Sequence, residues 1–358
     1  MSSTNPQRLK NLQRMLSAQD LDAMVILNVM NIRYLCGFTG SAGVLVVTPN
    51  DATLYVDARY TEQAQRQVVG AKAIEAPRPV LNYAVQQFKD RVKRVGFEAN
   101  RLTYLEYQEL KSLLPDVELV GLRDAVEQLR AVKDESEIEL IQRAINISDG
   151  VFDAFCGWLE PGMVEDQAAA RLEYEQRVGG GGRKISGTIV AAGERTALPH
   201  GIATQRVVGT NEPVMIDIGT VVDGYTSDLT RTVYLGQAPD DFKKIYQIVY
   251  DAQQRALDGI RAGITGSQAH NLAHDVITAA GYGDKFGHSL GHCIGLDIHE
   301  YPLMNPKDFS ILKENMVFTV EPGIYLTGKY GVRIEDVVRI TANGCEMLTH
   351  STRLLREI

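Results

Sequence analysis

The chain lacks an excess of basic residues, paired cysteines and long apolar runs, and each lack removes a class of function. Over 358 residues the formal charge is −8 and Lys and Arg are scattered, whereas nucleic-acid binding needs clustered cations. The four cysteines, Cys36, Cys156, Cys293 and Cys345, lie far apart with no C-x-x-C pair. That fits thiols as small core residues in a reducing compartment better than a disulfide framework. No apolar run approaches the roughly 18 residues that span a membrane. The polar N-terminus also lacks the apolar stretch of a secretory signal. A cytoplasmic protein with no nucleic-acid and no membrane partner is therefore expected. What remains is an ordinary globular composition, 44% hydrophobic and 23% charged, with length enough for two domains.

Residues 1–125 alternate strand-like runs (22–28, 43–48, 53–56, 95–98, 117–120) with helical ones (7–18, 62–69, 104–114). Such alternation predicts an α/β domain. A long helix is expected from a Ser136/Glu139 capping box to about Leu159, stopped by Pro161–Gly162. The domain boundary is placed just before it, giving domains 1–125 and 126–358. Within the second, residues 162–168 recur as 263–269, each between two helical stretches and followed by glycine. Two α-hairpins related by a pseudo-two-fold over a curved antiparallel sheet would produce this, although helix–turn–helix with a glycine stop is common. Residues 213–219 and 224–234 read as a hairpin about Asp223–Gly224, and 316–325 with 332–340 as another.

Five segments of this second half set an acid or an imidazole beside a predicted strand: Asp217, Asp228, His292, Glu321 and Glu335. Asp217 lies between Ile216 and Ile218, Glu321 follows Val320, and Glu335 follows Ile334. Strand alternation turns such acids away from their apolar neighbours, into a cavity. Buried carboxylates need compensation, and Arg231 and Arg333 are too few for four of them. Two divalent cations would balance the set, and oxygen-rich ligation with one imidazole suits Mn²⁺ while accepting Co²⁺, Fe²⁺ or Zn²⁺. His288, His292 and His299 fall within twelve residues, interspersed with Gly287, Gly291 and Gly295. Those glycines disfavour a helix and allow close backbone approach. His270 and His274, at i,i+4 spacing with no accompanying carboxylate motif, read as a solvated face.

The order Asp217, Asp228, His292, Glu321, Glu335 resembles the M24 pita-bread metallopeptidases, above all the Xaa-Pro peptidases. The matching text includes Leu198–Pro199–His200–Gly201, Ser227 to Thr232, Gly287 to Glu300 and Val332 to Val337. The resemblance implies that Asp228 and Glu335 bridge two metals, Asp217 completes one ion's ligands, and His292 and Glu321 complete the other's. It also implies that Glu321 shuttles a proton, that His200 and His299 contact the scissile-peptide oxygen, and that His288 and Arg333 line the substrate pocket. Residues 34–43 and 55–60 resemble the creatinase-type N-terminal domain, which in the family narrows the site's mouth, often across a homodimer interface. The implied partners are small proline-containing peptides and a second copy of the chain.

Many prolidases carry Arg after the His-Glu-x-Pro segment, where this chain has Leu303; Arg183 or Lys184 is the substitute. Residues 185–190 also lack an aromatic common in the family. These departures favour aminopeptidase P, which releases the N-terminal residue from Xaa-Pro peptides, with prolidase as the alternative. Methionine aminopeptidase leaves residues 1–125 unexplained, and creatinase lacks the carboxylate set. A peptide-binding pseudo-peptidase is disfavoured because every ligand is present.

Overall fold

Short apolar runs in the N-terminal third all become strands of one mixed sheet. The computed structural model describes residues 5–182 and 187–358, and the chain separates into a unit ending at Arg130 and one beginning at Ala131. Arg183 and Lys184, expected as substitutes at the substrate carboxylate, lie outside the described residues, as does the start of the 185–190 segment.

The first unit comprises β1 (Ala23–Ile26), β2 (Val44–Val47), β3 (Ala52–Val56), β4 (Lys72–Glu75), β5 (Arg94–Glu98) and β6 (Glu118–Leu122). Their order is β4-β3-β2-β1-β5-β6, with β1 antiparallel to β2 and parallel to β5. Helices α1 (Gln7–Ala18), α2 (Val29–Cys36), α3 (Thr61–Gln67), α4 (Val80–Gln86) and α5 (Tyr104–Leu113) intervene, and α6 (Glu127–Ala131) closes the unit. β1 and β2 are buried at every position, as strands covered on both faces should be. The sequence places the boundary near Ala125 to Val132. The units part after Arg130, within that range, and Glu127 and Arg130 hydrogen-bond Asn31 of the first unit.

The second unit opens with α7 (Glu135–Trp158) and α8 (Glu165–Val178) and continues with α9 (Asp240–Gly259) and α10 (Gly266–Ala279). The start of α7 differs from the sequence expectation. Asp134 and Glu137 form its capping box, and Ser136 spends its hydroxyl on Asp134 Oδ1. The repeat is structural: Gly162 and Gly263 both take left-handed φ, +93° and +91°, and isolated bridges pin Val164 to Val207 and Thr265 to Ile311. Glycine alone adopts that conformation at no steric cost.

Strands β7 (Ile189–Ala192), β8 (Glu212–Ile218), β9 (Val221–Val222), β10 (Tyr225–Thr226) and β11 (Leu229–Leu235) follow α8. Then come β12 (Gly291–Cys293), β13 (Glu300–Met304), β14 (Val317–Val320), β15 (Gly323–Leu326), β16 (Tyr330–Arg333), β17 (Asp336–Ile340) and β18 (Cys345–Met347). Sheets β11-β8-β7 and β13-β12-β14-β17-β18 carry the unit. One apolar core packs α7 and α8 on the first sheet and another packs α9 and α10 on the second.

Both expected hairpins form, but each is interrupted. β8 pairs directly with β11, while Asp223 and Gly224, both at positive φ, turn a separate β9–β10 ribbon. The second hairpin splits into β14–β17 and β15–β16. Its breaks fall at Glu321–Pro322 and Ile334–Glu335, and Asp228 occupies the gap before β11. Three of the acids thus stand at breaks between the strands rather than within them.

Candidate metal centre

All nine site residues expected from the sequence line one cavity of about 590 Å³: Asp217, Asp228, His292, Glu321, Glu335, His200, His288, His299 and Arg333. Asp228, His292 and Glu335 converge most closely, each offering a ligand atom within 4.8 Å of the others'. His292 Nε2 lies 3.7 Å from Asp228 Oδ2 and 3.6 Å from Glu321 Oε1. The ring is aimed by its other nitrogen, which donates to the Cys293 carbonyl at 3.2 Å and leaves Nε2 toward the acids. Thr319 Oγ1 ties two members together, accepting from the His292 amide at 3.0 Å and donating to Glu321 Oε1 at 3.4 Å.

Glu335 accepts from Thr230 Oγ1 at 2.6 Å, and its amide donates to the Thr230 carbonyl at 3.0 Å. Asp217 is held differently, by Arg333 Nη2 at 2.7 Å. The Arg333 guanidinium also donates to Thr230 Oγ1, the Pro199 carbonyl and the Tyr325 hydroxyl, so protein groups take up most of its five N–H donors. Tyr325 passes the chain on to His288 Nε2 at 2.9 Å, while His288 Nδ1 donates to the Ser289 carbonyl. Arg231 does not face the acids as a group; it pairs with Asp336 at 2.6 Å and holds the Ser351 and Thr352 carbonyls.

Burial and the neighbouring Glu335 push the Glu321 carboxyl well above the usual carboxylate range. Burial, then Asp228 and Asp217, do the same to Glu335. Burial and the His299 ring 4.3 Å away bring His292 down to about 4, so its imidazole is neutral near pH 7, as a ligand must be. Four carboxylates, of which Glu321 and Glu335 are pushed up by burial and like charge, beside one neutral imidazole, are a donor set that divalent cations fit: the formal −4 is matched by two such ions.

Thr230, Thr319 and Tyr325 belong to the site without having been singled out in the sequence. Thr230 lies on β11 directly opposite Asp217 and two residues beyond Asp228, and its nearness to these acids in sequence is the one signal that pointed to it. The reading of His270 needs correction. It is buried, stacked between His274 and Phe286, and accepts from the Leu290 amide at 3.2 Å. Ala269, Ala273 and Ile277 share its side of α10 in the core, so the i,i+4 pair starts on the apolar stripe rather than on a solvated face.

Residues 139–342 match the Metallopeptidase family M24, and residues 8–132 match the Creatinase/Prolidase N-terminal domain. A Xaa-Pro dipeptidase of Pyrococcus furiosus is 34% identical, covering 98% of this chain and 99% of its own. The structure of a Xaa-Pro dipeptidase from Bacillus anthracis superposes with TM-score 0.96 at 38% identity, over 99% of this chain and 100% of that one. That of an X-Pro aminopeptidase from Thermotoga maritima gives 0.90 at 39%, over the same shares. The α/β first unit and the α+β pita-bread second unit are shared with these structures. With its five acid and imidazole positions gathered at one cavity and the family's match spanning more than half its length, the chain belongs to metallopeptidase family M24.

Proposed function

We propose that this metallopeptidase hydrolyses the Xaa–Pro bond of dipeptides, as a prolidase, with two divalent cations held by Asp217, Asp228, His292, Glu321 and Glu335. The observation that carries the reading is their convergence, with His200, His288 and His299, on one cavity of about 590 Å³, a size that suits a small ligand. The dipeptidases among the similar proteins support a dipeptide substrate. Mn²⁺ is the ion that the oxygen-rich set suits best.

When bound, such ions polarise the scissile carbonyl and acidify the attacking water. The chain's own groups do the remainder. Glu321, whose burial favours its taking up a proton, carries that proton to the leaving proline nitrogen. His200 and His299 offer N–H groups to the peptide oxygen as it gains negative charge. Ile189, Ile202, Ile298 and Leu303 form an apolar wall that receives side chain and ring atoms of the substrate. Arg333 fixes Asp217 and, through Tyr325, His288.

One observation favours a second reading, aminopeptidase P. Among the described residues lining the cavity, the permanent cation is Arg333, whose donors are engaged, and Leu303 is apolar. Neither offers itself to a dipeptide carboxylate, and the Thermotoga maritima aminopeptidase, at 39%, is as close in sequence identity as the Bacillus anthracis dipeptidase, at 38%. Cleavage of an Xaa-Pro dipeptide against an Xaa-Pro-Yaa tripeptide, before and after Mn²⁺ is restored to EDTA-stripped enzyme, separates the readings. Metal-dependent preference for the dipeptide is expected. Preference for the tripeptide makes the enzyme an aminopeptidase P, and activity that survives EDTA removes the metal mechanism.

A further inference from the structure

We propose that Lys133 is a positioning residue for the histidine-bearing strands: by anchoring the Glu300 carboxylate it fixes the 294–299 loop and so sets His292 and His299 against each other. The inference rests on the proposed roles of those histidines. Lys133 Nζ donates to Glu300 Oε2 at 3.1 Å, with side chains only 1% and 4% exposed. It also donates to the Ala131 carbonyl at 3.3 Å and lies 3.1 Å from Cys293 Sγ, next to His292. Cys293 and Glu300 face each other across β12–β13, at the register shift that follows His292. The ammonium therefore grips both ends of the loop at the residues adjoining the two histidines.

Glu300 completes the device from inside the loop. Its Oε1 accepts from the Asp297 amide at 3.2 Å, and a Cβ at Gly295 would sit 2.8 Å from the carboxylate oxygens, so the carboxylate fills the loop's interior. The Gly295 carbonyl then accepts from the Thr226 amide at 2.8 Å, two residues before Asp228. A desolvated ion pair has fixed geometry and strong mutual dependence, since either charge alone is costly to bury. Solvent-exposed lysines are flexible tethers; this one is a rigid strut between the chain entering α7 and the strands that carry the imidazoles.

The test is a Co²⁺ titration, followed by visible absorbance, of metal-stripped Lys133→Met and Lys133→Met/Glu300→Gln. The double variant leaves no lone buried charge, which keeps the question open should the single variant fail to fold. Expected is at least tenfold weaker binding of one ion with the other within twofold, because one ion depends on His292. A tenfold lower kcat with KM within twofold should accompany it. Equal weakening of both ions, or isotherms that superimpose on wild type, would overturn the proposal. The isotherms need no peptide, so a wild-type enzyme that cleaves no Xaa-Pro bond ends the proposed function while Lys133 is still decided.

Discussion

At the residue scale, the site sorts its members by what each would lose on removal. Glu335 is wholly enclosed, held by Thr230 and repelled by Asp228 and Asp217, a position that bound cations would balance. Glu335→Ala is therefore expected to lose both turnover and metal, and full occupancy by elemental analysis would remove it from the ligand set. The His299 ring lies tilted against that of His292 but outside the converging trio. Its replacement by alanine should keep metal content while lowering kcat by about 10²–10³, the range for losing one donor to a developing oxyanion; wild-type turnover would take it out of the mechanism. Asp217 was legible as a cavity-facing acid because strand alternation along β8 turns it away from Ile216 and Ile218, whereas Glu321 and Glu335 reach the same cavity from breaks after β14 and β16. The engagement of Arg333 was not, since its partners Pro199, Asp217, Thr230 and Tyr325 come from four segments that only the fold brings together.

At the scale of elements, the glycines around His292 differ in kind, which the sequence alone could not separate. A Cβ at Gly291 would collide with the Thr319 carbonyl of β14, whereas one at Gly287 meets nothing within 4 Å. Gly291→Ala should destabilise the second unit by about 1–3 kcal/mol, the cost of overpacking, and Gly287→Ala should leave the urea midpoint unchanged. Equal midpoints for the two variants would refute the close approach of β12 to β14. The interrupted hairpins were half legible for a related reason: residue type marks a strand, but the strands break at the acids Glu321 and Glu335 themselves. Helix α10 carries a pH dependence of its own. Burial, then His274, lower His270 from 6.5 to about 4. The unfolded chain thus takes up this proton first as pH falls. The stability from keeping the imidazole neutral is complete above about 6.5 and is lost on the way down to about 4. Between pH 7 and pH 5 the urea midpoint should fall further for wild type than for His270→Gln; parallel falls would show that His270 contributes nothing.

For the whole molecule, the fold class was readable from strand–helix alternation in the first unit and from five spaced acid and imidazole positions in the second, because both patterns survive without knowledge of long-range pairing. The consequence of that division is an unequal dependence on metal. Every acid of the site lies in the second unit, where Glu321 and Glu335 are buried against like charges. Cations that bind the folded unit and not the unfolded chain stabilise it by mass action, about 4 kcal/mol at a thousandfold excess over Kd. With about 2–4 °C per kcal/mol for a unit of roughly 200 residues, stripping the metal should lower its melting temperature by about 8–16 °C. Trp158 is the chain's single tryptophan, packed edge-on to Phe155 at the end of α7, so its fluorescence reports this unit alone. The Trp158 transition of EDTA-treated protein should move up on adding Mn²⁺, and Glu335→Ala should melt at one temperature with or without the ion. If the wild-type curves coincide instead, the four carboxylates tolerate one another without a cation, and the charge balance on which the metal centre rests is wrong.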